Sequence, residues 1–463
     1  MNHISYQNKN MEFLTAICVL SVAGLLTIWV LPNTIALRHI LLGIGLVSSM
    51  AIIIKSNFFK GRRTLEMLPL LLLLLIFIWV LIHFWFFSLN PILEWQELKS
   101  IWLRVLGCSI IAVGLSLSLR LNDRLKPYFF ISLFIISWIN LGAYLYLSYQ
   151  QGSLMLPSTF VYAFVFKKIE AAFFGVIAIS VACASLVDLI SKKYDQKSLI
   201  LSVFWFLGIT SAIVSSIVAN TKNGVAVSLG LCFLLALTLV FRAIFLRGHF
   251  KWRLAVPALL VLLILIGGWK VHTHFASQGW NALWEDTNIS SQLDQHNFWR
   301  YNSSHWNKVV GESFPRNHLG IPVAGNTYER VSWATEGLIL ISEYPMGYGS
   351  INRSFVGMLN HANVQQELDS QTHSGWIDFG LAFGVPGLLI FLSVFIATAW
   401  RGLHVGGQFG LIAVWLIIGL IPFGIVAEIC YKHNFEILMF FITFAATSTI
   451  GLKNNSQKSI YEG

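Results

Sequence analysis

The run Met67-Leu-Pro-Leu-Leu-Leu-Leu-Leu-Leu-Ile-Phe-Ile-Trp-Val-Leu-Ile-His-Phe-Trp-Phe-Phe-Ser-Leu89 contains no Asp, Glu, Lys or Arg. As a helix at 1.5 Å per residue it would reach about 35 Å, enough to cross a hydrocarbon core of roughly 30 Å. In lipid a backbone must satisfy its own hydrogen bonds, so the run predicts a transmembrane helix. Comparable runs lie at 11–31, 36–55, 101–119, 127–148, 169–190, 199–219, 224–245, 254–270, 376–399, 408–428 and 434–452. About twelve spans are therefore expected. The composition agrees: of 463 residues, 56% are hydrophobic and only 11% charged, where a soluble domain carries about 25%. The fold class is all-α and polytopic. Residues 1–270 hold nine spans, 271–375 form one large loop containing helices, and 376–463 hold three spans and a short tail. Met1 to Met11 is short and polar before a run too long for a cleaved signal, so a retained first helix is expected.

A net charge of +10 would suggest nucleic acid in a soluble protein. Here the basic residues sit mainly in short loops, and nucleic-acid binding is set aside. Lys55, Lys60, Arg62 and Arg63 follow the second span, and Arg120, Arg124 and Lys126 the fourth. Lys192, Lys193 and Lys197 follow the sixth, and Arg242, Arg247, Lys251 and Arg253 the eighth. Arg401 follows the tenth span and Lys453 the last. Positive charge after every even-numbered span predicts cytoplasmic termini, with the large loop outside the cytoplasm. Lys167 and Lys168 are the main exception. Charge placed against the rule fits anionic lipid phosphates.

The cysteines (Cys18, Cys108, Cys183, Cys232 and Cys430) fall in or beside apolar runs and read as small packing residues. The large loop has none, so no disulfide is expected there.

In that loop Trp280, Trp284, Trp299 and Trp306 suit a membrane interface. From Tyr328 to Leu340 the pattern turns helical, with Val331, Ala334, Leu338 and Ile341 as its apolar face. The Pro and Gly of Tyr344-Pro-Met-Gly-Tyr-Gly349 end it. Seven of the 13 histidines lie in the loop: His272, His274, His296, His305, His318, His361 and His373. No His-Glu-x-x-His spacing, phosphate-binding Gly-rich loop, Cys-x-x-Cys pair or Gly-x-Ser-x-Gly elbow occurs. His373 stands apart by its setting, Thr372-His-Ser-Gly-Trp-Ile-Asp-Phe-Gly-Leu-Ala-Phe-Gly-Val-Pro-Gly387. An imidazole just before a span sits where a lipid-linked substrate presents its head group. Gly380, Gly384 and Gly387 would give the span a narrow face against which another helix packs.

His373-Ser374, nine residues, Gly384, two residues and Gly387 resemble the His-[Asn/Ser/Gln]-x9-Gly-x-x-[Gly/Thr/Tyr] signature of bacterial O-antigen ligases and O-linked oligosaccharyltransferases. Their superfamily also holds the Wzy-type polymerases. The family places this motif after a large periplasmic loop in a twelve-span architecture, so the resemblance covers nearly the whole chain and implies a GT-C-like fold. A second stretch, Arg330-Val-Ser-Trp-Ala-Thr-Glu-Gly-Leu-Ile-Leu-Ile-Ser-Glu-Tyr-Pro-Met-Gly-Tyr-Gly349, looks like the family's Arg-led helix ending in a Pro/Gly turn. A third position departs from the pattern. Where relatives carry Thr-x-Ser-Arg-Gly or Thr-Arg-Gly, this chain has Asn220-Thr221-Lys222-Asn223-Gly224, keeping the charge without arginine's planar fork.

The resemblance implies inverting transfer of a glycan from undecaprenyl diphosphate to a sugar hydroxyl of the lipid A–core acceptor. His373 would be the general base, since imidazole titrates near neutrality. Arg330 would also be catalytic, and with Lys222, Lys167 and Lys168 would hold the donor diphosphate. His361, Glu367 and Asp369 are candidates for orienting His373. Asp286 and Asp294 are isolated and form no Asp-x-Asp motif, so no cofactor and no metal are expected. The competing expectations are a Wzy-type polymerase, a protein O-oligosaccharyltransferase and, more distantly, a twelve-span transporter or lipid flippase. A chain ending about ten residues beyond its last span favours a ligase over the protein-modifying enzymes, which often carry extra C-terminal sequence. A transporter would be expected to show repeated halves and mid-membrane charge.

Overall fold

The computed structural model describes residues 2–160, 167–191, 196–245, 251–276, 282–309, 311–368 and 371–451. Lys192, Lys193, Arg247, Trp280, Asp369 and Lys453 lie outside them. The helices are α1 (Asn2–Ile28), α2 (Ile35–Lys55), α3 (Thr64–Phe86), α4 (Pro91–Glu97), α5 (Leu103–Leu121), α6 (Lys126–Gln151), α7 (Pro157–Phe160), α8 (Lys168–Ile190) and α9 (Gln196–Val218). They continue as α10 (Lys222–Phe245), α11 (Lys251–Ala276), α12 (Leu283–Ser290), α13 (Gly325–Glu343), α14 (Ser354–His361), α15 (Gly375–Val405), α16 (Gly407–Val426) and α17 (Lys432–Ser448). Among the described residues, 11 helical segments are long and apolar enough to cross a membrane. The chain is an all-α polytopic membrane protein.

Two span boundaries differ from expectation for identifiable reasons. The run expected at 434–452 forms α17, which has 17 residues. It reaches about 25 Å and is enclosed almost throughout. The span expected at 101–119 begins ten residues earlier. Asn90 accepts the Leu93 amide to start α4, which passes through a π turn at Leu98–Trp102 into α5. Glu94 and Glu97, expected in a connection, are therefore helical and buried. His272 and His274, expected in the large loop, lie on the last turns of the span Pro257–His274.

At the centre stands α8, 94% of whose apolar window is buried, ringed by α6, α9, α10 and α16. Small residues allow the close approaches. A Cβ on Gly175 would lie 3.6 Å from the Ala212 carbonyl oxygen of α9, the small-residue packing that replaces a hydrophobic driving force in lipid. All five cysteines are buried, and none is in a disulfide. The outer faces of α2, α3, α9 and α11 expose Val47, Leu74, Leu207 and Leu263, a surface suited to lipid.

The connections expected to share one side come together. Arg62 bonds the Gly451 carbonyl and Arg120 the Thr447 carbonyl, the latter at 3.4 Å. Lys126 lies over the Phe409 ring, Arg242 reaches the Val187 carbonyl and Gln408 reaches Ser185. Residues 282–309, 311–368 and 371–374 pack on the opposite ends of the helices. They have their own small core, which includes Phe298, Trp299, Tyr328, Trp333, Phe355 and Leu359. Trp299 is 4% exposed, and Trp306 stacks on Phe314 at 4.4 Å. Trp299, expected at a membrane interface, is a core residue here, Trp306 is half-buried against that core, and Trp284 is exposed. The buried face of α13 is also rotated from expectation. It carries Tyr328, Trp333, Gly337, Leu340 and Ile341, and Leu338 is 58% exposed.

The small domain is joined to the bundle where α15 breaks. Gly384 has φ 70° and ψ −175° inside the helix, a conformation that side chains disfavour. The break frees the carbonyls of Leu381, Ala382 and Phe383. The Tyr348 amide takes the first at 2.8 Å, the Gly349 amide the second at 2.7 Å and Trp79 Nε1 the third at 2.9 Å. Beyond the break, the Val385 amide donates to the Pro345 carbonyl at 2.8 Å, and Pro386 has no N–H to place. Gly384 thus receives the 345–349 turn, where a helix had been expected to pack. Across from it Gly347 has φ 92°, and a Cβ there would lie 2.5 Å from the Gly384 nitrogen. Gly347→Ala is expected to destabilise the protein by at least about 1–3 kcal/mol from backbone strain alone. A lower thermal midpoint of the purified protein, or poorer yield at equal expression, checks this.

Candidate active site

Four elements distant in sequence meet at the connection between α16 and α17. The first is α13, whose Arg330, Trp333 and Gly337 share one face at helical spacing. Gly337 admits the start of α15: a Cβ there would meet Ile377 at 2.6 Å and Thr372 at 3.1 Å. The Trp333 ring stacks on the His373 imidazole, with centroids 5.2 Å apart and planes 21° apart. Trp333 Nε1 donates to the Trp299 carbonyl at 2.7 Å, which fixes the stacking surface.

His373 has φ 63°, an unusual conformation for a non-glycine residue. Its neighbours hold it. The Thr372 amide and hydroxyl both donate to Asp378, at 2.9 and 2.8 Å, and the Gly375 amide donates to the Ala427 carbonyl at 2.9 Å. His373 Nδ1 pairs with Glu428. A carboxylate only accepts, so Nδ1 carries a hydrogen, and whenever the ring is neutral Nε2 presents its lone pair. Burial pushes the Glu428 carboxyl up, but the hydrogen bond and charge of His373, with Arg330 and Lys167, outweigh this and hold it below its ordinary value. Glu428 therefore stays ionised at neutral pH.

Arg330 donates to the Val426 carbonyl at 2.8 Å, and Asn223 of α10 donates to the same carbonyl at 2.7 Å. One oxygen at the end of α16 thus ties α13 to α10 and places Lys222 nearby. Lys222 and Arg330 both act electrostatically on Lys168, at the start of α8. A Cβ on Gly224 would lie 2.6 Å from the Ala172 Cβ, so α10 and α8 approach closely where these lysines stand. Lys167, Lys168 and Lys222 are exposed. Burial lowers the Arg330 guanidinium from its ordinary value, opposed by Glu428 and Glu329, and it stays charged. Below the lysines, Glu170 accepts the Lys167 amide at 2.9 Å and pairs with His433 at 2.7 Å.

The structure therefore brings together His373, Arg330, Lys167, Lys168 and Lys222. It places the other candidates elsewhere. His361 lies edge-on to Tyr344 with ring centroids 5.3 Å apart. Glu367 is exposed, and its amide donates to the Arg300 carbonyl at 2.8 Å. Asp369 is outside the described residues. The carboxylate beside His373 is Glu428, which sequence reasoning missed. Its signal was an acidic residue at the very end of an apolar run, Ala427-Glu428, on the side where Arg330 had been expected. Asp286 accepts from Asn317 and the Ala324 amide, both at 3.2 Å, in a structural role. No group of three or more His, Cys, Asp or Glu that could hold a metal occurs among the described residues.

The arrangement offers a base nitrogen steadied by a carboxylate and a ring, beside a surplus of positive charge. Compared with known proteins, the chain matches no family model and no curated protein.

A carboxyl whose folded pKa lies below its unfolded value stabilises the fold fully above the unfolded value and loses that contribution as pH falls through the folded one. For Glu428 the unfolded value is 4.5. Between about pH 6 and about pH 3, the thermal midpoint of Glu428→Gln should therefore fall less than that of the wild type.

Proposed function

We propose that the protein is a glycosyltransferase of the O-antigen ligase type. It moves a glycan from undecaprenyl diphosphate to a sugar hydroxyl of lipid A–core at the periplasmic face of the inner membrane. The observation that carries this reading is the convergence of His373, Glu428, Arg330, Lys222, Lys167 and Lys168 around the residues 426–428. These groups suit the two charge problems of the reaction. The His-Ser-x9-Gly-x-x-Gly resemblance supplies the reaction class, and the gathering of basic connections at the opposite end of the bundle favours a periplasmic site.

In the proposed step the acceptor hydroxyl oxygen attacks the anomeric carbon of the donor sugar from the face opposite the diphosphate, inverting the centre. Its proton passes to His373 Nε2. Glu428 holds the ring through Nδ1 and stabilises the imidazolium that forms, the role a carboxylate plays in other histidine dyads. The bond between anomeric carbon and phosphate oxygen breaks, and undecaprenyl diphosphate leaves with the electron pair. Arg330 and the three lysines stabilise the charge gathering on it, a task in which a single well-placed donor is commonly worth about 3–4 kcal/mol.

The test is lipopolysaccharide profiling in cells lacking the protein, complemented by variants inserted at equal level. The wild type restores long glycan on lipid A–core, while His373→Ala leaves glycan on the polyprenyl carrier, with turnover lowered about 10²–10⁴-fold. Arg330→Lys keeps charge but loses the fork of donors, so turnover falls at least about tenfold. Single-repeat glycan on core in the deletion strain would replace the ligase reading with a Wzy-type polymerase. Full complementation by His373→Ala would remove the base assignment.

A further inference from the structure

We infer that a cavity between α1, α2, α5 and the start of α17 binds the phosphate-bearing headgroup of a membrane lipid. The inference does not depend on the proposed glycosyl transfer. The cavity has a volume of about 300 Å³, and Arg38, Arg104, Lys432, His433, Trp29 and Leu42 are among its lining residues. That is the small end of the range for ligand sites, about 300–1,000 Å³, and suits a headgroup better than a whole lipid.

Its charges are not balanced from within. Glu436, also in the lining, pairs with Arg104 Nε at 2.6 Å. Arg38 and Lys432 then remain as surplus cations even with both lining histidines neutral. Arg38 Nη1 donates to the Trp29 carbonyl at 2.8 Å, which holds the guanidinium at the cavity wall. The fork of donors on a guanidinium matches phosphate oxygens well.

The surroundings point to a lipid rather than a free anion. Ile35 and Leu42 give the cavity apolar walls. Ile35 is 61% exposed, so the apolar wall continues onto surface that acyl chains can cover while the headgroup meets the cations at the helix ends. His433 lines the cavity and also pairs with Glu170, so this site borders the lysine cluster while leaving His373, Arg330 and Glu428 outside it.

The experiment is equilibrium binding of a fluorescent phosphatidic acid to the full-length protein in neutral detergent, competed with phosphatidylcholine or with glycerol 3-phosphate. Binding should saturate, resist phosphatidylcholine and weaken about tenfold or more in Arg38→Gln and in Lys432→Gln, about 1.4 kcal/mol for each. Arg38→Lys should lose less, and His373→Ala should bind as the wild type does, which separates this site from the proposed chemistry. If Arg38→Gln fails to fold, Lys432→Gln, at an exposed helix start, decides alone. Unchanged affinity in the folded charge variants, or equal displacement by phosphatidylcholine, overturns the site. Displacement by glycerol 3-phosphate at the same concentration as by unlabelled phosphatidic acid overturns the lipid assignment in favour of free phosphate.

Discussion

The break in α15 at Gly384 is the constraint from which the site geometry follows. A straight helix there would satisfy its own carbonyls and leave no seat for the 345–349 turn. The break releases the Leu381, Ala382 and Phe383 carbonyls, and the turn and Trp79 take all three. Left unpaired in a buried setting, each would cost about 1–3 kcal/mol, so neither half of the junction is stable without the other. The consequence reaches beyond the break. The turn continues directly from α13, which carries Arg330, and α15 begins two residues after His373. Fixing the turn on α15 therefore fixes the guanidinium relative to the imidazole.

Buried ionisable groups on α3 and α4 secure the same turn from the other side. His83 reaches the Met346 carbonyl at 3.0 Å and Glu94 at 3.0 Å. Glu97 accepts from the Ser350 hydroxyl and from the amides of Ile351 and Asn352 at 2.7, 2.8 and 3.0 Å. Acidic groups inside a membrane-spanning segment are expensive unless paired and hydrogen-bonded. Here each carboxylate has partners, Glu94 the His83 ring and Glu97 the amides of a loop with no helix or sheet to satisfy them. The spans thus supply acceptors that the small domain lacks, and the domain supplies donors that make the carboxylates tolerable.

What was legible in the sequence divides along physical lines. Apolar runs are one-dimensional signals, so the spans could be read directly, and the short loops between them revealed the basic end. The errors came where a property depends on contacts. Glu97 lies just before a strongly apolar run and was placed outside it, because its loop partners at 350–352 are more than 250 residues away. Trp299 and Trp306 have the amphipathic chemistry of interface residues, but Trp299 is buried in the small core and Trp306 is half-buried against Phe314 and Tyr328. The α13 face was misjudged because Gly337, which carries no hydrophobic signal, marks the closest approach to α15. His373, Arg330 and the lysines could be singled out by setting and resemblance. Glu428 could not, since nothing local links a residue after α16 to one before α15.

The charge distribution explains why that carboxylate matters. Arg330, Lys167, Lys168 and Lys222 stand close enough to act on Glu428 or on one another, and Glu428 is the acidic group that answers them at His373. Glu428 and Glu329 cannot neutralise four cations, and Glu170, another acid nearby, is engaged by His433 and the Lys167 amide. Like charges held together raise the energy of the empty site, so the arrangement gains most from a ligand that brings several negative charges at once. Glu428 sits where it tempers Arg330 and orients His373 without filling the exposed lysine side of the cluster. A neutral residue there would leave the imidazole without an acceptor for Nδ1–H, free to present either nitrogen. A second acid would cancel the attraction for an anion. One carboxylate at that position satisfies both demands, which ties the position of the base to the strength of the anion site.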